Sequence, residues 1–226
     1  ELGSDSVRAI AKQLVSESLV LLKNDGDILP LEEGPKIYVL GPAIGDIGVQ
    51  CGGWTMAWQG LTDVENGGEI TPGTTILEGL QEYAAEYDLE IITDPARATE
   101  ADIVILAVGE QPYAEYEGDV ADISLMSEVA LSENASAMEE ANALDKPIVT
   151  LIVAGRQVEI EDYMDEWDAI VMCYLPGTQG DGIASVLTGE TNFSGTLPMP
   201  CYASTSEIGS DKPMLTFDIG YGLKYS

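Results

Sequence analysis

Four carboxylates and two tyrosines crowd into one short stretch of this 226-residue chain: Glu110, Tyr113, Glu115, Tyr116, Glu117 and Asp119. The chain has no histidine. That removes Ser-His-Asp triads, Cys-His pairs, His-ligated zinc and any His general base. Acid–base chemistry here falls to carboxylates, Tyr, Lys or Cys. The three cysteines, Cys51, Cys173 and Cys201, give neither a disulfide framework nor a metal pattern, and no cofactor is implied. On this stretch alone, a solvated acidic loop in a very acidic protein accounts for the residues equally well.

The carboxylates follow Asp102–Val108, a run rich in Ile and Val, the pattern of a strand buried on both faces. Gly109 and Pro112 end it. Further strands are expected at Lys36–Leu40, Glu90–Thr93, Ile148–Val153 and Ala169–Tyr174, and helices at Ser4–Lys23, Thr74–Glu86, Leu125–Leu144, Val158–Trp167 and Gly182–Leu187. Between Gly41 and about Pro72 no helical or strand period holds, and a loop of that length is more often functional than not. From Gly189 on, the chain is rich in Gly, Pro and Ser, with weak strand signals at most. Strands alternating with helices predict right-handed crossovers and one mostly parallel α/β sheet with helices on both faces, a three-layer α/β/α sandwich. In such a sheet the loops GPAIGD…CGGWTMAWQG, GEQPYAEYEGD, AGRQ and LPGTQGDG leave along one edge, where a ligand would bind.

Composition narrows the partners. A net charge of −31, from 40 acidic against 9 basic residues, leaves nothing to neutralise a run of phosphates, which excludes nucleic acid. Anionic membranes and polymers are disfavoured for the same reason, whereas a neutral sugar carries no such penalty. No apolar run reaches the roughly 18–20 residues of a membrane span. The opening ELGSDSVRAIAKQL lacks an initiator Met and reads as the continuation of a longer protein. Compartment is open from sequence; a soluble protein, periplasmic or secreted, is the working expectation.

Each motif has a plainer reading beside the functional one. AVGEQP and LGPAIG are glycines after strands, yet neither gives G-x-G-x-x-G opening a helix, and no phosphate-loop motif occurs. Arg156, in a turn after a strand, suits pairing with a neighbouring carboxylate better than catalysis. Trp54 and Trp58 sit four apart in a Gly-rich loop. Covering the core accounts for one of them, but an indole exposed in a loop is also a surface on which a sugar ring stacks.

Taken together, QCGGWTMAWQG, GTTILEGL, AVGEQPYAEYEGD, VAGRQV, YLPGTQGDGIASVLTGETNFSGTLP and the terminal GYGL stand in the order and spacing seen in family 3 glycoside hydrolases. The resemblance covers essentially the whole chain and is nearest the β-glucosidase and exo-β-glucanase branch. It implies that residues 36–226 form the second, α/β-sandwich domain of a retaining enzyme, and that residues 1–35 are a linker and helix following a (β/α)-barrel. It further implies that the nucleophile is an Asp of that barrel, in a Ser-Asp-Trp type motif absent here. Asp165-Glu166-Trp167 is no substitute, since it reads as part of a helix. PYAE places the acid/base at Glu115, and the tryptophan clamping a sugar beyond the cleavage point matches Trp58, with Trp54 packing behind it. Glu110 is expected to be fixed by local hydrogen bonds, and Glu117 and Asp119 to be surface or loop-shaping. The implied partners are β-linked glucosides or gluco-oligosaccharides and the barrel itself. Two other functions fit the same residues: a non-catalytic carbohydrate-binding module, and a nucleotide- or flavin-binding α/β domain.

Overall fold

A computed structural model describes residues 3–226. Its centre is a six-stranded sheet in the order β1-β6-β5-β4-β2-β3. The strands are β1 Val20–Asn24, β2 Lys36–Leu40, β3 Glu90–Ile92, β4 Ile103–Gly109, β5 Ile148–Val153 and β6 Ala169–Met172. Strands β2 to β6 are parallel, and β1 runs antiparallel to β6. The helices are α1 Asp5–Ser18, α2 Ile47–Cys51, α3 Asp63–Asn66, α4 Ile76–Ala84, α5 Asn134–Ala143 and α6 Asp181–Leu187.

The period of two along β4 explains the three layers. Ile105 and Ala107 pack into one core with Ile76 and Leu80 of α4 and Ile183 of α6. Val104, Leu106 and Val108 pack into a second core with Ala137, Met138 and Ala141 of α5. A mostly parallel sheet with helices on both faces is the architecture expected from the buried Ile/Val runs. Beyond residue 189 the tail forms a short hairpin, β7 Cys201–Tyr202 with β8 Leu215–Phe217. Cys201 and Phe217 join the second core. The backbone N–H of Leu223 bonds the Leu21 carbonyl at 2.8 Å, so the tail shields edge strand β1 from pairing with another chain.

Three expected helices are broken up, and in each the backbone pairs with a distant segment instead. Ser4–Lys23 divides into α1 and β1. Leu19, Val20, Leu21 and Leu22 are all buried, and a segment apolar on every side sits better as a strand between two layers than as a one-faced helix. Ile10 and Leu14, which helical spacing assigns to the inner face, are exposed, and Val15 and Ser16 are the buried positions of α1. Only Asn134–Ala143 of Leu125–Leu144 is helical, because the Val129 carbonyl instead accepts from Gln111 N–H at 2.7 Å and Ala130 bridges Glu110. Val158–Trp167 keeps a single 3₁₀ turn, Glu161–Tyr163. There Glu159 N–H donates to the Ile123 carbonyl at 2.8 Å, and Asp165-Glu166 lies in a turn, not in a helix. The long loop also holds two short capped helices, α2 and α3. β1, within the segment assigned to the linker, is the edge strand of the sheet.

One buried side chain holds the end of the central strand. Asn134, fully buried, accepts from Gly109 N–H at 3.2 Å and donates to the carbonyls of Gly109 at 2.8 Å and Leu125 at 3.0 Å. Asn134→Ala would leave those groups buried and short of partners, at a cost of about 1–3 kcal/mol. In a domain of this size that is a fall in Tm of roughly 2–4 °C per kcal/mol. Thermal unfolding of the purified domain reads it directly, and an unchanged Tm would show that the side chain does not carry the strand end.

Candidate active site

Because β2, β4, β5 and β6 are parallel, the loops that follow them emerge on one edge, and glycines let two of them touch backbone to backbone. A Cβ on Gly53 would lie 2.1 Å from the Tyr113 carbonyl oxygen. A Cβ on Gly60, whose φ is +80°, would lie 2.4 Å from Cβ of Pro112. The Gln59 side-chain oxygen accepts from Ala114 N–H at 2.7 Å. The tryptophan loop 52–60 is therefore laid directly on the PYAE segment.

Within that loop, Trp54 N–H donates to the Trp58 carbonyl at 2.9 Å, which closes the turn and brings the indoles together. Their centroids are 6.2 Å apart with planes 57° from parallel. Tyr116 meets Trp58 edge-on at 5.9 Å. Neither indole covers the core, contrary to the plainer reading of the sequence: Trp54 is 69% exposed and Trp58 47%. Trp54 stands beside Trp58 and is the more exposed of the two. The buried tryptophan is Trp167, stacked on Tyr163 at 4.9 Å.

Six non-glycine residues among those described have positive φ. Three are aspartates, Asp27, Asp88 and Asp145, a residue type that tolerates this region. The other three, Trp54 (φ +56°), Glu115 (φ +48°) and Tyr174 (φ +53°), all lie on loops of the ligand edge. A left-handed backbone costs such residues about 1–2 kcal/mol, and strain of this kind persists only where the surroundings impose it. Glu115 opens a 3₁₀ turn, Glu115–Gly118, directly after buried Ala114, and its side chain is exposed to solvent.

Glu110 stands five residues earlier in a different environment. Its side chain is only 1% exposed. One oxygen accepts from Arg156 through Nε at 2.9 Å and pairs with Nη2 at 2.8 Å, and the other accepts from the Tyr113 hydroxyl at 2.8 Å. Burial, together with the neighbouring Glu110 charge, pushes the Tyr113 phenol up, so it remains a donor. Glu110 is thus held by local bonds, as its position after the strand suggests. Glu117 and Asp119 are exposed.

The helix that follows β2 leaves no room for a phosphate. Asp46 accepts from Val49 N–H at 2.8 Å, and Asp63 accepts from the N–H groups of Ile47 at 2.8 Å and Gly48 at 3.3 Å. The donors that would grip an anion at a helix start already face two carboxylates. Burial holds the Asp46 carboxyl above its ordinary value, against the opposing pull of bonds from Val49 and Asp63 N–H. A cavity of about 410 Å³ lined by Pro42, Asp46, Gln111 and Glu133 lies beside this edge. Another, of about 640 Å³, lined by Asp25, Glu32, Ile103 and Asp168, opens at the opposite edge. Neither is lined by Glu115, Trp54 or Trp58; those three side chains stand on an open surface.

The structure gathers Glu115, Trp58 and Trp54 on one edge. It adds Arg156, Tyr113 and Gln59 as the residues that set the loops, and Asn134 beneath them. Of these, Tyr113 and Arg156 carry a sequence signal, one in the carboxylate-rich stretch and the other in a turn after a strand; the bonds made by Gln59 and Asn134 are long-range.

The family model for the glycosyl hydrolase family 3 C-terminal domain matches residues 19–225. A lysosomal β-glucosidase of Dictyostelium discoideum is 31% identical across 100% of this chain, which spans 30% of that protein. The periplasmic β-glucosidase of Salmonella typhimurium is 27% identical across 89% of the chain and 29% of its own length. The chain thus spans about a third of the curated relatives it matches. Among solved structures, an exo-1,3/1,4-β-glucanase from a Pseudoalteromonas species superposes with a TM-score of 0.84 at 31% identity, over 100% of this chain and 29% of that one. A β-glucosidase from Listeria innocua gives 0.80 at 25% identity, over 100% and 34%.

The exposure of the indoles separates their roles energetically. Trp167→Ala should cost roughly 3–5 kcal/mol, as truncation of a buried aromatic does, whereas Trp58→Ala should cost well under half as much. Chemical denaturation of both variants tests this. Equal losses would make Trp58 a core residue.

Proposed function

Since the chain belongs to the glycosyl hydrolase family 3 C-terminal domain family, we propose that it supplies the general acid/base, Glu115, to a retaining β-glucosidase or exo-β-glucanase. The nucleophile of that enzyme is an Asp on a (β/α)-barrel preceding this domain, and its substrates are terminal β-glucosyl residues of glucosides or gluco-oligosaccharides. The observation that carries the reading is the exposed, backbone-strained Glu115 beside exposed Trp58 and Tyr116 on the ligand edge. Such a surface is half of a site. Retaining hydrolysis needs two carboxyl groups about 5–5.5 Å apart, and the second must come from whatever closes over this edge.

The residues take these roles in the two steps. Glu115, protonated, gives its proton to the glycosidic oxygen as the bond from that oxygen to the anomeric carbon breaks and the barrel Asp bonds the carbon. Glu115, now a carboxylate, then takes a proton from the water that attacks the same carbon and displaces the Asp. Trp58 stacks on the sugar beyond the cleaved bond, with Trp54 beside it. Export to the periplasm or exterior is in keeping with the periplasmic relative; no helix among the described residues is long and apolar enough to cross a membrane.

In the full-length enzyme, Glu115→Ala should slow substrates with poor leaving groups by about 10²–10⁴-fold and those with activated aryl groups far less, because activated groups depart without protonation. Azide should restore turnover of the activated substrates, since a small anion attacks the intermediate without a base. Azide rescue of Glu110→Ala or Glu117→Ala in place of Glu115→Ala would move the role to another carboxylate. This domain alone should leave an aryl β-glucoside uncleaved, and turnover at the rate of a whole enzyme would overturn the two-domain reading.

A further inference from the structure

We propose that Arg156 is a positioning residue whose guanidinium staples both stems of the loop carrying Glu115, and so sets where that carboxyl group stands. The proposal rests on the acid/base assignment of Glu115. It is carried by geometry: Glu115 lies five residues from Glu110 on one stem and five from Val120 on the other, and Arg156 holds both. Its Nε donates to Glu110 Oε1 at 2.9 Å, and Nη2 stands 2.8 Å from the same oxygen. Its Nη1 donates to the Val120 carbonyl at 2.7 Å, and Nη2 to the Asp122 carbonyl at 3.0 Å. All three guanidinium nitrogens are engaged.

The staple is braced from within the loop. Arg156 lies 5.9 Å over the Tyr113 ring, and the Tyr113 hydroxyl closes on the Glu110 oxygen that Arg156 leaves free. Arg156 itself sits in the turn directly after β5, so the loop is referenced to the sheet and not to its own middle. A planar fork can bond one carboxylate and two carbonyls at once. A lysine ammonium, a single point of charge, cannot span both stems.

A misplacement of about 1 Å at a catalytic group can cost about 10²-fold. The loss should fall on proton transfer, and therefore on leaving groups that need it. Arg156→Lys keeps a cation against buried Glu110, so it should fold with nearly the wild-type Tm. A second variant, Arg156→Met with Glu110→Gln, removes both charges and leaves neither unpaired.

The test is kcat/KM of the full-length enzyme on aryl β-glucosides of graded leaving-group ability, with Glu115→Ala alongside. Both Arg156 variants should lose about 10–100-fold on the poorest leaving group and under about 3-fold on the most activated. A uniform loss across the series, with normal leaving-group dependence in Glu115→Ala, would reduce Arg156 to a structural residue and overturn the proposal alone. Unchanged kinetics would do the same. If Glu115→Ala itself shows no leaving-group dependence, the acid/base assignment falls and takes the staple with it.

Discussion

A carboxylate buried at the end of a central strand must be paired, and the pairing of Glu110 with Arg156 is the constraint on which the ligand edge depends. Burying an ion costs several kcal/mol unless an opposite charge and further bonds replace its water. Glu110 meets that condition with a guanidinium on one oxygen and a phenol on the other. To reach it, the turn after β5 must come up beside the loop after β4, and the Arg156 fork then has carbonyls of the returning stem within reach. The glycines of the tryptophan loop do the rest, allowing a third segment to lie on the first at distances no side chain would permit.

From this frame the contrast between two glutamates on one loop follows. Glu110 is buried, fully bonded and shielded by Tyr113 and Arg156. Glu115 stands in solvent on a strained backbone, next to aromatic rings that touch one another yet stay largely exposed. A general acid needs a wall and a facing carboxylate to keep its proton near neutral pH. Glu115 is exposed to solvent, and under the proposed function the wall and the facing carboxylate would come from a partner domain. The surplus of acidic residues repels anionic polymers while leaving neutral sugars free to approach.

The sheet is legible in the sequence because parallel strands buried on both faces must be continuous runs of Ile, Val and Leu; β2 and β5 stand where those runs lie. Helix lengths are less legible. Leu19–Leu22, Leu125–Ser132 and Val158–Trp167 look helical in isolation, but their backbones pair with distant segments, and no local pattern reports that. In the site, residue types are readable and their exposure is not. Trp54, Trp58 and Trp167 are the same residue in sequence, yet only Trp167 is core. Asn134 sits in an Ala- and Glu-rich run with nothing to mark it, since its three bonds reach Gly109 and Leu125.

As the proposed acid/base, Glu115 would face a nucleophile on another domain across the sugar. The most direct measurement is the separation of carboxyl groups in a crystal structure of the full-length enzyme with a glucoside analogue bound. The Glu115 carboxyl should lie about 5–5.5 Å from a barrel carboxylate, on opposite sides of the anomeric carbon, with Trp58 against the sugar beyond it. A Glu115 turned away from the sugar, with another carboxylate at that distance, would contradict it.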